Sequence, residues 1–289
     1  NDKVSSGAGD DIVVVQGQGD VEVDTGIGDD RVVVDSSFSG TLFVKNGTGS
    51  NILEILGNQE DMDVGFVDGK VQLTIGNSST ITIDEQFVTN TQTDKVELSE
   101  NGFEYIKTYG HDANGNALEG EYAYASYFVL GSEEDNLLIA NQPSDAQAND
   151  EVFVMAGDGA DVIEGNASNL MIEGGRGDDI IRIAATSGDK SVFGDIFTGD
   201  SGGNVQTQNT NYADVVELDW SYYDSEISSI AGGYRIYNEA LDATVDIYDI
   251  EVLKFKDDNA AGGWDIRYLT DGQVIGTNEW QGDLSLIHI

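Results

Sequence analysis

One short pattern recurs along this chain and limits what it can fold into. Gly7-Ala8-Gly9-Asp10-Asp11-Ile12-Val13 reads Gly-x-Gly-x-Asp-x-U, where U is a large aliphatic residue. Gly26-Ile27-Gly28-Asp29-Asp30-Arg31-Val32 repeats it 19 residues later. Gly47-Thr48-Gly49-Ser50-Asn51-Ile52-Leu53 follows after 21, with Asn51 in the aspartate place. In the second half, Gly157-Asp158-Gly159-Ala160-Asp161-Val162-Ile163 and Gly175-Arg176-Gly177-Asp178-Asp179-Ile180-Ile181 lie 18 residues apart. Gly131-Ser132-Glu133-Glu134-Asp135 is a weaker start to that series, and Gly194-Asp195 a weaker end. A fixed period of this length means that each copy is one small unit stacked on the next. One Gly-x-Gly-x-Asp means little in a chain with 36 glycines and 54 acidic residues. Four copies in two pairs, each with its aliphatic residue in place, go beyond a set of ordinary Asp-Gly hairpin turns.

Composition narrows the function classes. Lys plus Arg is 13 against 54 Asp plus Glu, a net charge of −41, which excludes a general nucleic-acid binder and argues against an anionic membrane surface. No run approaches the roughly 20 apolar residues of a membrane span. There is no cysteine, so disulfides, zinc-thiolate sites and cysteine nucleophiles are excluded, and the two histidines leave little for imidazole chemistry. With one proline, the glycine content points to ordered tight turns and not to a linker. No basic or apolar leader is present at the start, where the chain opens inside a repeat and so reads as a segment of a longer protein.

The pattern resembles the nonapeptide repeat of RTX proteins, Gly-Gly-x-Gly-x-Asp-x-U-x, which binds calcium in a parallel β-roll. The resemblance implies an all-β chain. Each nonapeptide makes one turn and one short strand, and aliphatic residues point inward, where strands about 4.8 Å apart bury them against their copies. The glycines permit positive φ and let backbone carbonyls approach an ion, while the aspartate offers the hard oxygen that calcium takes. The metal-ligating candidates are Gly7, Gly9 and Asp11; Gly26, Gly28 and Asp30; Gly47, Gly49 and Asn51; Asp135; Gly157, Gly159 and Asp161; and Gly175, Gly177 and Asp179. Several calcium ions are implied. Copies on the intervening side, near Gly17 and Gly165, lack the aspartate, so calcium is expected mostly along one edge of each roll.

Two stretches with period-two alternation follow the repeat blocks: residues 68–75, 80–84 and 96–98, then 232–237, 243–247 and 250–255. They read as antiparallel strands that cap an otherwise open roll end. The expected organisation is a roll over residues 1–58 with its cap to 110, then a roll over 128–200 with its cap to 289. The two domains are 1–110 and 111–289.

Other constellations do not assemble chemistry. Gly199-Asp200-Ser201-Gly202-Gly203 matches the surroundings of a serine-protease nucleophile. Its only upstream histidine, His111, sits in an unrelated setting, Tyr109-Gly110-His111-Asp112. Asp112-Ala113-Asn114-Gly115-Asn116 has glycine at the fourth place, and Ala123 stands where an EF-hand needs its twelfth-place glutamate. His288 reads as a strand-end residue. Aromatic clusters at Tyr105, Tyr109, Tyr122, Tyr124, Tyr127 and Phe128, and at Trp220, Tyr222, Tyr223, Tyr234 and Tyr237, serve either as caps or as a platform for a ligand. The reading is a non-enzymatic, calcium-folded structural or adhesive module of a secreted RTX adhesin at a bacterial cell surface. Its partners are calcium ions and, if the platform is used, a surface glycan or peptide. The alternatives are a ligand-binding adhesin domain and the accessory region of a secreted enzyme whose catalytic domain lies elsewhere.

Overall fold

The computed structural model describes residues 2–58, 62–67, 70–75, 79–84, 86–90, 95–98, 103–109, 125–144, 146–147, 150–195, 213–257, 263–270 and 273–276. His111, the 112–116 turn, Tyr122, Tyr124, the 199–203 motif and His288 lie outside them. The described elements are strands and one 3₁₀ turn at Tyr222–Asp224. Two compact units emerge, residues 1–128 with 145–151, and residues 129–144 with 152–289.

In the first unit, β1 (Asp2–Ser5), β2 (Ile12–Val15), β3 (Gln18–Asp24), β4 (Arg31–Val34), β5 (Ser39–Lys45) and β6 (Asn51–Asn58) alternate between two parallel ladders. Odd strands pair with odd and even with even, so every two strands complete one coil. The sequence alternates because one face of each strand is inside. Val13, Val32 and Leu53 stack in register, as do Val15, Val34 and Ile55. On the other ladder Leu42 faces Ile81 and Val44 faces Ile83. Each such side chain contributes roughly 1.5–3 kcal/mol by leaving water.

The ladders then run further than the repeats. After β7 (Met62–Val67) and β8 (Lys70–Ile75), β9 (Ser79–Asp84) lies antiparallel to β8 but parallel to β5. β10 (Phe87–Asn90) and β11 (Lys95–Leu98) form a hairpin. β12 (Phe103–Tyr109) returns parallel to β6, and the start of β13 (Ala125–Ser132) pairs antiparallel with β12.

The second unit repeats the scheme. β14 (Asn136–Ala140), β16 (Val162–Gly165), β18 (Ile180–Ile183) and β20 (Val215–Leu218) form one parallel ladder. β15 (Glu151–Gly157), β17 (Leu170–Glu173) and β19 (Gly188–Phe193) form the other. β21 (Glu226–Ile230), β22 (Gly233–Asn238) and β23 (Ala243–Tyr248) make an antiparallel meander whose last strand joins β19 in parallel. β24 (Val252–Lys256) joins β20 in parallel before β25 (Trp264–Thr270) and β26 (Gln273–Gly276) close antiparallel. This is a parallel β-roll with antiparallel strands at its finish. The difference from expectation lies at the joins. Residues 80–84, 243–248 and 252–256 were expected wholly in the caps, yet each pairs in parallel with a roll strand. Burial explains it, since Ile81, Ile83, Val245, Ile247, Leu253 and Phe255 extend the aliphatic stacks.

The outward face of the second unit shows how an acidic chain places its few cations. Glu164, Arg182, Glu217 and Lys254 stand in register across four strands, with alternating sign. Arg182 Nε donates to Glu217 Oε2 at 3.0 Å and Lys254 Nζ to Glu217 Oε1 at 3.0 Å. Like charges in that row would repel at strand spacing.

Candidate metal-binding edge

The aspartates of the repeat converge on one edge of each roll. In the first unit the Asp11 amide donates to Asp30 Oδ1 at 2.9 Å, and the Asp30 amide to Asn51 Oδ1 at 2.9 Å. In the second, the Asn136 amide donates to Asp161 Oδ1 at 2.6 Å, Asp161 to Asp179 Oδ1 at 2.8 Å, Asp179 to Asp214 Oδ1 at 2.9 Å, and Asp214 to Glu251 Oε2 at 2.8 Å. Each coil thus presents a backbone N–H to an acceptor side chain of the next. An outer row runs the opposite way. The Asp29 amide donates to Asp10 Oδ1, Ser50 to Asp29, Ala160 to Asp135 and Ala213 to Asp178, at 2.8–3.0 Å. Neighbouring coils are therefore braced in both directions.

The glycines have a second reason beyond their dihedrals. A Cβ on Gly26 would lie 1.7 Å from the Gly7 carbonyl oxygen, and one on Gly177 1.7 Å from that of Gly159. The coils stack so closely that the carbonyls of one lie over the Cα atoms of the next. The same holds at Gly28, Gly47, Gly49, Gly157, Gly159 and Gly175, each of which would meet backbone atoms of the preceding coil. Gly7 and Gly9, on the first coil, face nothing within 4 Å and keep only their positive φ, +106° and +112°.

Of the aspartate-place residues expected on this edge, the structure brings Asp11, Asp30 and Asn51 into a row in the first unit, and Asp161 and Asp179 into a row in the second. Asp135 falls one residue short: Leu137 is in register with Val162, so Asn136 occupies the row position beside Asp161. Asp135 belongs to the outer row. Asp214 and Glu251 were missed. Each precedes a hydrophobic strand, in Asp214-Val215-Val216 and Glu251-Val252-Leu253, and that acidic-before-strand signal stands in the sequence without the glycines.

The row is short of positive charge. Asp30 and Asp214 are buried, and the second carboxylate oxygens of Asp11 and Asp30 are enclosed without a hydrogen-bond donor. Burial pushes the Asp214 carboxyl up to about 8, with the Asp179, Glu251 and Asp195 carboxylates adding to the rise against the Asp179 amide, which lowers it. Burial, then the Asp249 and Asp195 charges, raise Glu251 to about 7, opposed by the Asp214 amide. Enclosed carboxylate oxygens without donors fit a hard cation. No cluster of three or more carboxylates or imidazoles able to hold a metal ion forms among the described residues. An ion on this edge would therefore need backbone carbonyl oxygens beside the carboxylates, a donor set that suits calcium, which takes six to eight oxygens.

The expected aromatic caps divide. Trp220 is 6% exposed with Nε1 donating to Ser225 Oγ at 3.1 Å, while Tyr223 is 83% exposed. The strand β20 ends at Leu218, and a 3₁₀ turn at Tyr222–Asp224 follows. In the first unit Tyr105 and Tyr127 are buried edge to face, their centroids 5.8 Å apart. Among the described residues, no helix is long and apolar enough to cross a membrane.

No protein-family model and no curated protein matches the chain. Among solved structures it is similar to the crystal structure of the extracellular lipase LipA from Serratia marcescens, at 13% identity and a TM-score of 0.28, with 84% of this chain and 36% of that chain aligned. The chain thus spans little more than a third of that lipase, and the similarity is too slight to bear on fold or function.

Proposed function

We propose that this chain is a calcium-folded, non-enzymatic module of a secreted RTX protein, serving a bacterial surface adhesin as a structural or adhesive segment. The observation that carries the reading is the row of acidic side chains on one edge of each roll, with enclosed oxygens on Asp11 and Asp30 that lack donors. Without a cation, crowded carboxylates oppose compaction at a net charge of −41. An ion bound only by the folded chain shifts the balance by mass action. Asp11, Asp30, Asn51, Asp161 and Asp179 would hold the ions together with carbonyls of the repeat glycines, and Asp214 and Glu251 would extend the row. Such a module would stay unfolded where calcium is scarce and fold outside the cell.

A calcium titration followed by circular dichroism tests this. The β signal should be largely lost in chelator and return in millimolar calcium. Magnesium should substitute poorly because it demands tighter octahedral geometry. An unchanged spectrum and melting temperature in chelator would overturn the reading.

A further inference from the structure

Opposite the acidic row, the turns at 166–169 and 184–187 carry no carboxylate. Here the coils are joined by the Ala184 amide donating to the Gly165 carbonyl at 3.0 Å, and by Lys190. Lys190 stands in register with Leu170 on one side and Val245 on the other, within an otherwise aliphatic stack, and is 2% exposed. Its Nζ donates to the carbonyls of Thr186 and Ser187, each at 3.0 Å, and of Ser168 at 3.3 Å. Three N–H groups thus meet three oxygens, two from one turn and the third from the turn before. No carboxylate among the described residues forms an ion pair with this ammonium. Burial lowers the amine to about 8, while neighbouring Asp189 acts to raise it.

A core ammonium without a counter-ion is costly, and only full hydrogen bonding makes it tolerable. A cage of backbone oxygens drawn from two successive coils is how a hard metal ion would join those coils. Here the cation is tethered to the chain. We propose that Lys190 is the resident cation of this edge: its ammonium, held by Ser168, Thr186 and Ser187, joins adjacent coils in place of a metal ion. This leaves the acidic edge as the side on which stacking depends on a soluble cation. The contrast with the acidic edge rests on the calcium reading, while the role of Lys190 does not; variants and native protein are therefore compared at the same saturating calcium.

Lys190→Met keeps most of the apolar stem and removes every donor. It should lower the melting temperature by roughly 5–15 °C, since three part-buried carbonyls lose their shared donor. Lys190→Ala should lower it further, and n-propylammonium chloride should restore part of the loss while n-propanol does not. An unchanged melting temperature in Lys190→Met, or equal rescue by n-propanol, would show that the residue only fills space. If neither variant folds, the native protein decides. Its Lys190 ammonium should give a slowly exchanging NMR signal, and exchange at the rate of a solvent-exposed lysine would overturn the proposal.

Discussion

The backbone amide of Asp179 donates to the Asp214 carboxylate at 2.9 Å across 35 residues of chain, while the Asp179 carboxylate accepts the Asp161 amide at 2.8 Å. One residue is therefore both acceptor for the coil before it and donor to the coil after it. The acidic row is a continuous chain of such links, and its carboxylates belong to the stacking as well as to any ion.

Asp179→Ala should be far more damaging than Asp20→Ala. Removing the Asp179 carboxylate strands a buried amide, at about 1–3 kcal/mol, and should cost at least the roughly 10-fold in calcium affinity expected for a group that supports a metal site. Asp20 is exposed on β3, outside the acidic row, and its loss should stay within about 0.5 kcal/mol. Isothermal calorimetry and thermal melts of both variants check this, and equal losses would contradict a one-edge arrangement.

Gly26→Ala should be worse than Gly7→Ala, although both glycines have positive φ. Gly7 faces open space, so alanine there should cost only the backbone penalty of about 1–2 kcal/mol. At Gly26 the added carbon also meets the Gly7 carbonyl oxygen, and the total should reach about 3 kcal/mol or more. Denaturant melts at saturating calcium measure the difference.

Acidity should partly replace calcium. Asp214 keeps its proton in the folded, calcium-free chain up to about pH 8, but in the unfolded chain only to the ordinary carboxylate value near 3.8. Between those values the folded state binds more protons, so stability falls as pH rises towards 8. Glu251 acts in the same direction up to about 7. In chelator, the β signal should therefore grow as pH is lowered from 8 to 5. With calcium the trend should reverse, because the ion binds ionised carboxylates and its affinity rises with pH. A flat profile in chelator would contradict the crowding of this edge.

Trp220→Ala should cost about 3–5 kcal/mol, the range for a large buried aromatic. Tyr223→Ala, at an exposed ring, should leave the melting temperature nearly unchanged. Loss of binding to a glycan or peptide array in the Tyr223 variant alone would assign that ring to a ligand and Trp220 to the fold.

Much of this was legible in the chain because the repeat is local. A Gly-x-Gly-x-Asp turn, a short strand and an inward aliphatic residue are set within nine residues. Their spacing showed the repeating unit, and the family resemblance carried by those residues implied the all-β class and the acidic edge. What the tertiary structure decided is where the stacking ends and which residues fill positions without a local mark. Asn136 takes a row place beside Asp161 because strand register is fixed by neighbours 25 residues away. Asp214 and Glu251 extend the row through segments of other lengths, so the carboxylate keeps its place while the glycine spacing disappears. Nothing local in Asp189-Lys190-Ser191 marks Lys190 as an inward residue. Only the stacked coils, by bringing three carbonyls to one point, turn that side chain inward and give its charge a place in the core.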